Sequence, residues 1–136
     1  MLTHILDTSV WIALLLREPE GKLVKGILAD PDHYVGISAL TLVELHARLR
    51  EIDRTEEYTD MVDSYRPLFA EILPMDQHVA LRANTLREVA QKRIPAIDSM
   101  IAATAAVHNA ILVHRDPHFR SIPADHLQQL VLTPPQ

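Results

Sequence analysis

The sequence predicts an α/β domain with a central, mostly parallel sheet and helices on both faces. Two observations predict this class. Short apolar runs of strand length alternate along the chain with longer segments of helical periodicity. Residue types that begin helices, such as Thr8, Ser9 and Ser38, directly follow apolar runs. Strands that alternate with helices form parallel sheets, because each helix returns the chain to the edge where the next strand starts.

The length of 136 residues predicts one domain. A chain of this size buries about two-thirds of its unfolded surface, which is enough for a hydrophobic core. We expect the domain to span residues 1–132 and a short C-terminal tail to occupy 133–136, where two prolines precede the last residue.

The first predicted strand, 3–6, organises the rest of the chain. It is apolar with β-branched members, it ends on Asp7, and it turns at once into a helical run, 10–16. In an open parallel sheet, the carboxyl end of such a strand opens into the crevice where ligands bind.

The same alternation continues to the end of the chain. The other predicted strands are 34–38, 68–74, 111–114 and 127–132. The other predicted helices are 21–29, 39–52, 54–65, one that Asp76 caps and that runs to about 92, and 97–108, where Asn109 ends the helix in a left-handed conformation.

The helix at 39–52 is apolar on two sides, so we expect it to be covered on two sides. One cover is the sheet, and the other is the next helix or a second copy of the chain. One face is formed by Leu40, Val43 and Ala47, with Glu44 at its edge. The opposite face is formed by Leu42, Leu45 and Leu49.

The formal net charge of −5 argues against nucleic-acid binding through bulk positive charge. The protein either avoids nucleic acid or concentrates its negative charge where metal ions neutralise it. Two divalent cations would leave a formal charge of about −1.

The chain contains no cysteine, which excludes disulfides and cysteine-ligated zinc and fits a reducing compartment. We expect no signal peptide, because no basic leader precedes the first apolar run and Asp7 interrupts it. No apolar run approaches 18 residues, so we expect no membrane span and a cytoplasmic location.

Four carboxylates occupy matching places in the predicted topology. Asp7 ends the first strand, Asp98 begins the alanine-rich helix, and Asp116 follows the fourth strand. Strand ends and the starts of the following helices gather at one end of a parallel sheet, so these three residues can converge. Glu44 lies about a turn and a half into its helix and can reach the same end.

Several carboxylates in one small site repel one another and raise each other's pKa. A hard divalent cation such as Mg²⁺ relieves this repulsion, because it binds oxygen ligands together with substrate phosphate. Such a site would polarise a phosphoryl group and activate water. The predicted chemistry is hydrolysis of a phosphodiester or phosphomonoester.

Each carboxylate also has a purely structural interpretation. Asp7, Asp98 and Asp116 are each placed to cap the start of a helix. Glu44 is placed to pair with Arg48 on the helix surface at a spacing of four residues. The metal-site hypothesis therefore rests on the four positions taken together.

Other chemistry is not supported. The eight histidines include no HExxH motif, and His114 and His118 are separated by a proline, so they share no helical face. Three glycines form no phosphate-binding loop, and no serine lies in a nucleophile elbow. The aromatic residues are too few for a base-stacking platform.

Four sequence blocks resemble the signature blocks of PIN domains, and most of all those of VapC-type toxin ribonucleases from toxin–antitoxin pairs. They are ILDTSV at 5–10, SALTLVEL at 38–45, DSMIAATA at 98–105 and LVHRDPHF at 112–119. Each block alone is unspecific. Their order and spacing together are specific, and the resemblance extends from about residue 2 to 132.

The resemblance implies a three-layer α/β/α sandwich and an endoribonuclease that depends on Mg²⁺ or Mn²⁺. It implies that the metal is surrounded by Asp7, Glu44, Asp98 and Asp116, and that Ser9 or Thr8 helps to hold the first carboxylate or a metal-bound water. Members of the family commonly form homodimers, and a small cognate antitoxin inhibits them by blocking the acidic pocket.

One residue departs from the family pattern. The family usually has Thr or Ser two residues before the last aspartate, where this chain has His114. That residue either contacts phosphate or points away from the pocket. The next residue, Arg115, either binds RNA phosphate or is a solvated turn residue.

Three other functions remain open from the sequence. One is a PIN nuclease of RNA maturation without an antitoxin, and a compact chain with no added domain favours the toxin over it. Another is a catalytically silent PIN-like binding module, against which the complete set of four carboxylates argues. The third is a magnesium-binding signalling receiver, which would need paired acids after the first strand and a lysine near the last strand. The chain has only Asp7 after the first strand, and no lysine follows Lys92.

Overall fold

The centre of the sheet is β1 (His4–Leu6), which pairs with β2 (Val35–Ser38) on one side and β4 (Ile111–His114) on the other. The edges are β3 (Glu71–Leu73) and β5 (Gln129–Val131), which gives the order β3-β2-β1-β4-β5. The computed structural model describes residues 1–133, and every strand pair in this range is parallel. The sheet predicted as mostly parallel is therefore parallel throughout.

The helices agree with the predicted segments to within a few residues. They are α1 (Thr8–Leu15), α2 (Gly21–Ala29), α3 (Ala39–Glu51), α4 (Tyr58–Tyr65), α5 (Gln77–Val89) and α6 (Ala96–Val107). Short 3-10 turns at Thr55–Glu57 and Arg66–Leu68 flank α4, so α4 starts later and β3 is shorter than the sequence predicts. Asn109 lies just after the end of α6 in the predicted left-handed conformation, with a φ of 52°.

Helices cover both faces of the sheet, which confirms the three-layer α/β/α class. Successive strand residues point to opposite faces, so Ile5 and Leu112 join one core while Leu6 and Val113 join the other. The first core is completed mainly by α5 and α6, and the second by α1 to α4.

One face of α3 is buried as expected. Leu45 and Leu49 are inaccessible to solvent, and the Tyr58 hydroxyl of α4 donates to the Leu42 carbonyl at 3.0 Å. The next helix therefore provides one of the two predicted covers.

The expectation for the opposite face of α3 is confirmed only for Leu40, which packs against the first core. Val43 is 66% exposed and Ala47 is also exposed, so the sheet does not cover them. Ala47 and Glu44 face an open acidic cavity, and α3 therefore forms one wall of that cavity.

Within the described part of the chain, no helix combines the length and apolar character needed to cross a membrane. Leu132 packs into the second core, and its amide donates to the His114 carbonyl at 2.8 Å. Of the predicted tail 133–136, residues 134–136 lie outside the described residues.

Candidate metal centre

An acidic cavity of about 310 Å³ lies where β1 and β4 end. The four candidate carboxylates, Asp7, Glu44, Asp98 and Asp116, all line it. They come from a strand end, a helix wall, the first turn of another helix and a loop after a strand. The predicted convergence is therefore present, because parallel strands bring these points to one end of the sheet.

Asp7 caps a helix and also faces the cavity. Its Oδ2 accepts from the Ser9 hydroxyl at 2.6 Å and from the Ser9 amide at 3.3 Å at the start of α1. The residue is only 5% exposed, and it lines the cavity with its neighbours. The two interpretations of Asp7 are compatible, because a carboxylate has more acceptor positions than a cap uses.

Glu44 is held by the first turn of α1. Its Oε1 accepts from the Thr8 hydroxyl at 2.6 Å, and the Thr8 and Thr41 hydroxyl oxygens lie 3.0 Å apart. A hydroxyl has one hydrogen, so Thr8 donates to the carboxylate and accepts from Thr41. The surface pair with Arg48 does not form, since Arg48 contacts Glu51 at 3.3 Å.

Asp98 does not cap its helix. The capping position of α6 belongs to Pro95, and Asp98 is the third helical residue, in the first turn. Negative charge is stabilised near a helix N-terminus, and the side chain is 22% exposed beside the other carboxylates.

Asp116 precedes a 3-10 helix, Pro117–Ser121, and caps it by accepting from the His118 amide at 2.9 Å. It also lines the cavity, so its capping role and its place in the site coexist, as they do for Asp7.

Burial and mutual repulsion disfavour the charged forms of these carboxylates. Burial, followed by repulsion from Asp7, Asp116 and Glu44, raises the pKa of Asp98 to about 6. Burial also raises the pKa of Asp7, although two hydrogen bonds from Ser9 oppose the shift. The pKa of Glu44 is raised by burial, with a smaller contribution from Asp7.

His118 is the site residue that the sequence reasoning missed. One ligand atom from each of Asp98, Asp116 and His118 lies within 4.8 Å of the other two. The His118 Nδ1 is 3.1 Å from Asp116 Oδ1 and 3.8 Å from Asp98 Oδ2. Its position two residues after Asp116, in the turn that Asp116 caps, is the signal that could have revealed it.

Arg115 takes neither of its two predicted roles. Its guanidinium donates to Glu18 Oε1 at 2.6 Å and also to Glu20, both in the segment between α1 and α2. Glu20 is buried, so the pair ties the loop after β4 to that segment. The guanidinium is therefore engaged inside the protein rather than presented to a ligand.

His114 neither reaches the cavity nor points to solvent. It is fully buried, and its ring packs edge-on to Phe119 with the ring centroids 4.8 Å apart. Burial lowers its pKa, against an opposing contribution from its hydrogen bond to Gln129. The cavity lining does not include His114, so the predicted alternative in which this residue points away from the pocket is confirmed.

The donor set fits a hard divalent cation. Carboxylate oxygens are the ligands that Mg²⁺ prefers, and Mn²⁺ accepts the same ligands. Burial and, after it, the neighbouring negative charges raise the pKa of Asp98, and a cation among the carboxylates would oppose both effects. Ligand atoms of Asp98 and Asp116 lie within 4.8 Å of each other, and Asp7 and Glu44 line the same cavity.

The sequence profile of the PIN domain family matches residues 4–125. No curated protein matched the sequence.

Several solved structures are similar over nearly the whole chain. A chain of FitAcB from Neisseria gonorrhoeae is 30% identical with a TM-score of 0.72, and the match covers 94% of this chain and 96% of that one. A chain of VapBC-5, a member of the VapBC family of toxin-antitoxin systems from Mycobacterium tuberculosis, is 25% identical with a TM-score of 0.67. That match covers 97% of this chain and 98% of the other. A chain of VapBC2 from Rickettsia felis, bound to a DNA fragment from its promoter, is 22% identical with a TM-score of 0.80, and the match covers 97% of this chain and 100% of that one. At this identity the likeness shows the fold alone.

Proposed function

This chain belongs to the PIN domain family, and from that premise we propose that it is a metal-dependent endoribonuclease that acts as the toxin of a toxin–antitoxin pair. The observation that carries the proposal is the convergence of four carboxylates on one cavity, with the pKa of Asp98 raised to about 6. Such an arrangement is unfavourable without a cation and is typical of a site for metal-assisted hydrolysis.

We assign the metal to Asp7, Glu44, Asp98 and Asp116, with Mg²⁺ or Mn²⁺ as the ion. When bound, the cation would supply positive charge that polarises the phosphoryl group and lowers the pKa of water. His118, 54% exposed beside Asp98 and Asp116, is placed at the solvent side of this group.

The protein's own residues orient the carboxylates before any ligand arrives. Ser9 fixes Asp7 through two hydrogen bonds, and Thr8 fixes Glu44 through one. These contacts hold the oxygen atoms in place, so less conformational freedom is lost on binding. Arg48 lines the same cavity, where it contacts Glu51 at 3.3 Å, and so brings a positive charge to the cavity wall.

We propose RNA as the substrate on the strength of the family resemblance. The net charge of −5 leaves binding dependent on local contacts and on the cation rather than on overall attraction. We also propose a cytoplasmic location, which the family resemblance supports.

We further propose that a cognate antitoxin covers the acidic cavity and that the toxin forms a homodimer. The likeness to VapBC-5, which belongs to a family of toxin-antitoxin systems, supports the antitoxin, and the family resemblance supports the homodimer. An antitoxin that presents a basic side chain to the four carboxylates would neutralise the charge that the cation otherwise neutralises.

Cleavage of a mixed RNA pool tests the nuclease. Purified protein is assayed with Mg²⁺, with Mn²⁺ and with chelator, and matched single-stranded DNA tests the preference for RNA. We expect cleavage that needs metal and that falls about 100-fold or more in Asp98→Asn. Asp125→Asn is the matched control, because that side chain is 82% exposed and lies outside the cavity lining.

The outcomes separate the functions. Metal-dependent cleavage lost only in Asp98→Asn supports the nuclease, and end-mapping then identifies the sites that are cut. Metal binding without cleavage of any pool would count against an active nuclease, as would equal cleavage by both variants. Neither cleavage nor metal binding would identify a silent binding module. Arrest of bacterial growth on expression, relieved by the product of a neighbouring gene, tests the toxin–antitoxin pairing separately.

A further inference from the structure

His114 occupies the last position of β4, two residues before Asp116, and is fully buried. Its ring has a polar partner at each nitrogen. Nε2 lies 2.8 Å from Gln129 Oε1, and Nδ1 lies 3.2 Å from the Asp116 amide nitrogen. A buried ring with both nitrogens engaged is held in one orientation.

The Gln129 side chain determines which ring nitrogen carries the hydrogen. Its Nε2 donates to the Phe119 carbonyl at 2.8 Å and approaches the Ile122 carbonyl at 3.3 Å. Only the NH₂ end of the amide can serve two carbonyls, so the Oε1 end must face the ring. An amide oxygen accepts only, and therefore His114 Nε2 is the donor.

The other ring nitrogen follows from this assignment. In a neutral imidazole with hydrogen on Nε2, Nδ1 is an acceptor. It accepts the Asp116 amide hydrogen, which would otherwise lack this partner beside the cavity. Each residue therefore donates to the next in the order Asp116, His114, Gln129 and Phe119.

We propose that His114 is a positioning residue whose Nδ1 accepts from the Asp116 amide and so fixes the backbone of Asp116 and the direction of its carboxylate. Gln129 of the edge strand β5 holds the His114 ring in place. The proposal rests on the proposed function, in which Asp116 binds the metal. In this proposal, the buried His114 ring occupies the position two residues before the last aspartate, where the family usually has threonine or serine.

Two variants separate this role from simple packing. In His114→Asn, the side-chain oxygen lies near the position of Nδ1 and can still accept from the Asp116 amide. In His114→Gln, the longer amide can still donate to Gln129 but offers no acceptor at the Nδ1 position. Both variants lose the ring that packs on Phe119, so each controls for the packing loss of the other.

We expect the two variants to have similar melting temperatures but to differ in amide exchange at Asp116, in Mn²⁺ affinity and in kcat. In His114→Gln, amide hydrogen exchange at Asp116 accelerates about 10-fold or more relative to His114→Asn. The Mn²⁺ dissociation constant, measured by calorimetry, rises about 10-fold to 100-fold. With RNA, kcat falls by a similar factor while KM changes less than about twofold. Equal exchange and equal Mn²⁺ affinity in the two variants would overturn the proposal.

A measurement on the unmodified protein decides the case if neither variant folds. Long-range proton–nitrogen correlation on ¹⁵N-histidine-labelled protein should report the neutral form of His114 with hydrogen on Nε2. The form with hydrogen on Nδ1 would overturn the proposal. Failure of the wild-type protein to cleave RNA would count against the proposed function, while the exchange and spectroscopic results would still decide the role of His114.

Discussion

The Thr8 hydroxyl donates to Glu44 Oε1 at 2.6 Å and so joins the first turn of α1 to the middle of α3. The two residues are 36 positions apart in the chain, and both line the acidic cavity. A carboxylate that the sequence places only on the edge of a helix is in this way directed to the site.

Thr8→Val, which removes the hydroxyl and keeps the shape, should weaken catalysis more than folding. The Thr8 bond opposes the burial that raises the pKa of Glu44, so its loss favours the neutral form. We expect kcat to fall about 10-fold to 100-fold in steady-state cleavage assays.

Thr104→Val is the control for this change. Thr104 is equally buried, but its hydroxyl donates to the Met100 carbonyl at 2.9 Å within α6. Each variant should lose about 1 kcal/mol of unfolding free energy. Comparable kcat in the two variants would show that the Thr8 contact serves only stability.

Asp98 should make the metal-free protein less stable as the pH rises. Its folded pKa of about 6 lies above the ordinary aspartate value of 3.8. The native state therefore keeps a proton that the unfolded chain has already released. Between about pH 4 and pH 6, the contribution of this residue to the unfolding free energy declines, and above that range the full penalty remains.

Denaturant unfolding of wild type and Asp98→Asn in chelator measures this effect, and their difference removes the contributions of groups that do not interact with Asp98. We expect Asp98→Asn to be more stable by about 1–3 kcal/mol at pH 7 and to lose this advantage near pH 4. A difference that does not vary with pH would contradict the raised pKa.

Arg115→Met should destabilise the protein because it leaves the buried Glu20 carboxylate without its cation. Adding Glu20→Gln to that variant should recover part of the loss. Thermal melts of the two single variants and the double variant form a cycle that measures the coupling. Arg50→Met is the control, since that residue is exposed and has no ion pair among the described residues. Additive effects would indicate that the pair contributes little.

Leu49→Ala should cost about 2–5 kcal/mol of unfolding free energy, because the side chain is fully buried in the core beneath α3. Val43→Ala on the same helix should change it by less than about 0.5 kcal/mol, because Val43 is exposed. Chemical denaturation measures both. A large loss in Val43→Ala would place that residue in an interface between copies of the chain.

The arrangement of the sheet and the meeting of three of the four carboxylates follow from the sequence for a general reason. In parallel α/β folds, strand ends and helix starts share one edge, so the positions of Asp7, Asp98 and Asp116 in the element order suffice. A capping role does not exclude a place in the site, because Asp7 and Asp116 both cap helices and line the cavity.

The remaining features depend on contacts between distant parts of the chain. Arg115 meets Glu18 and Glu20 across almost a hundred residues, and no local pattern marks that pair. The buried position of His114 depends on Gln129 in another strand. The exposure of Ala47 depends on the cavity beside α3, which periodicity alone cannot reveal.

The strand order has a consequence for the protein as it emerges from the ribosome. The central strand β1 is made first, but its second neighbour, β4, comes only at residues 111–114, and Asp116 follows. Domains acquire their native contacts as translation proceeds at about 5–20 residues per second. A nascent chain that ends before residue 116 holds at most three of the four carboxylates on an incomplete sheet, so the acidic site is assembled only after β4 and Asp116 have been made.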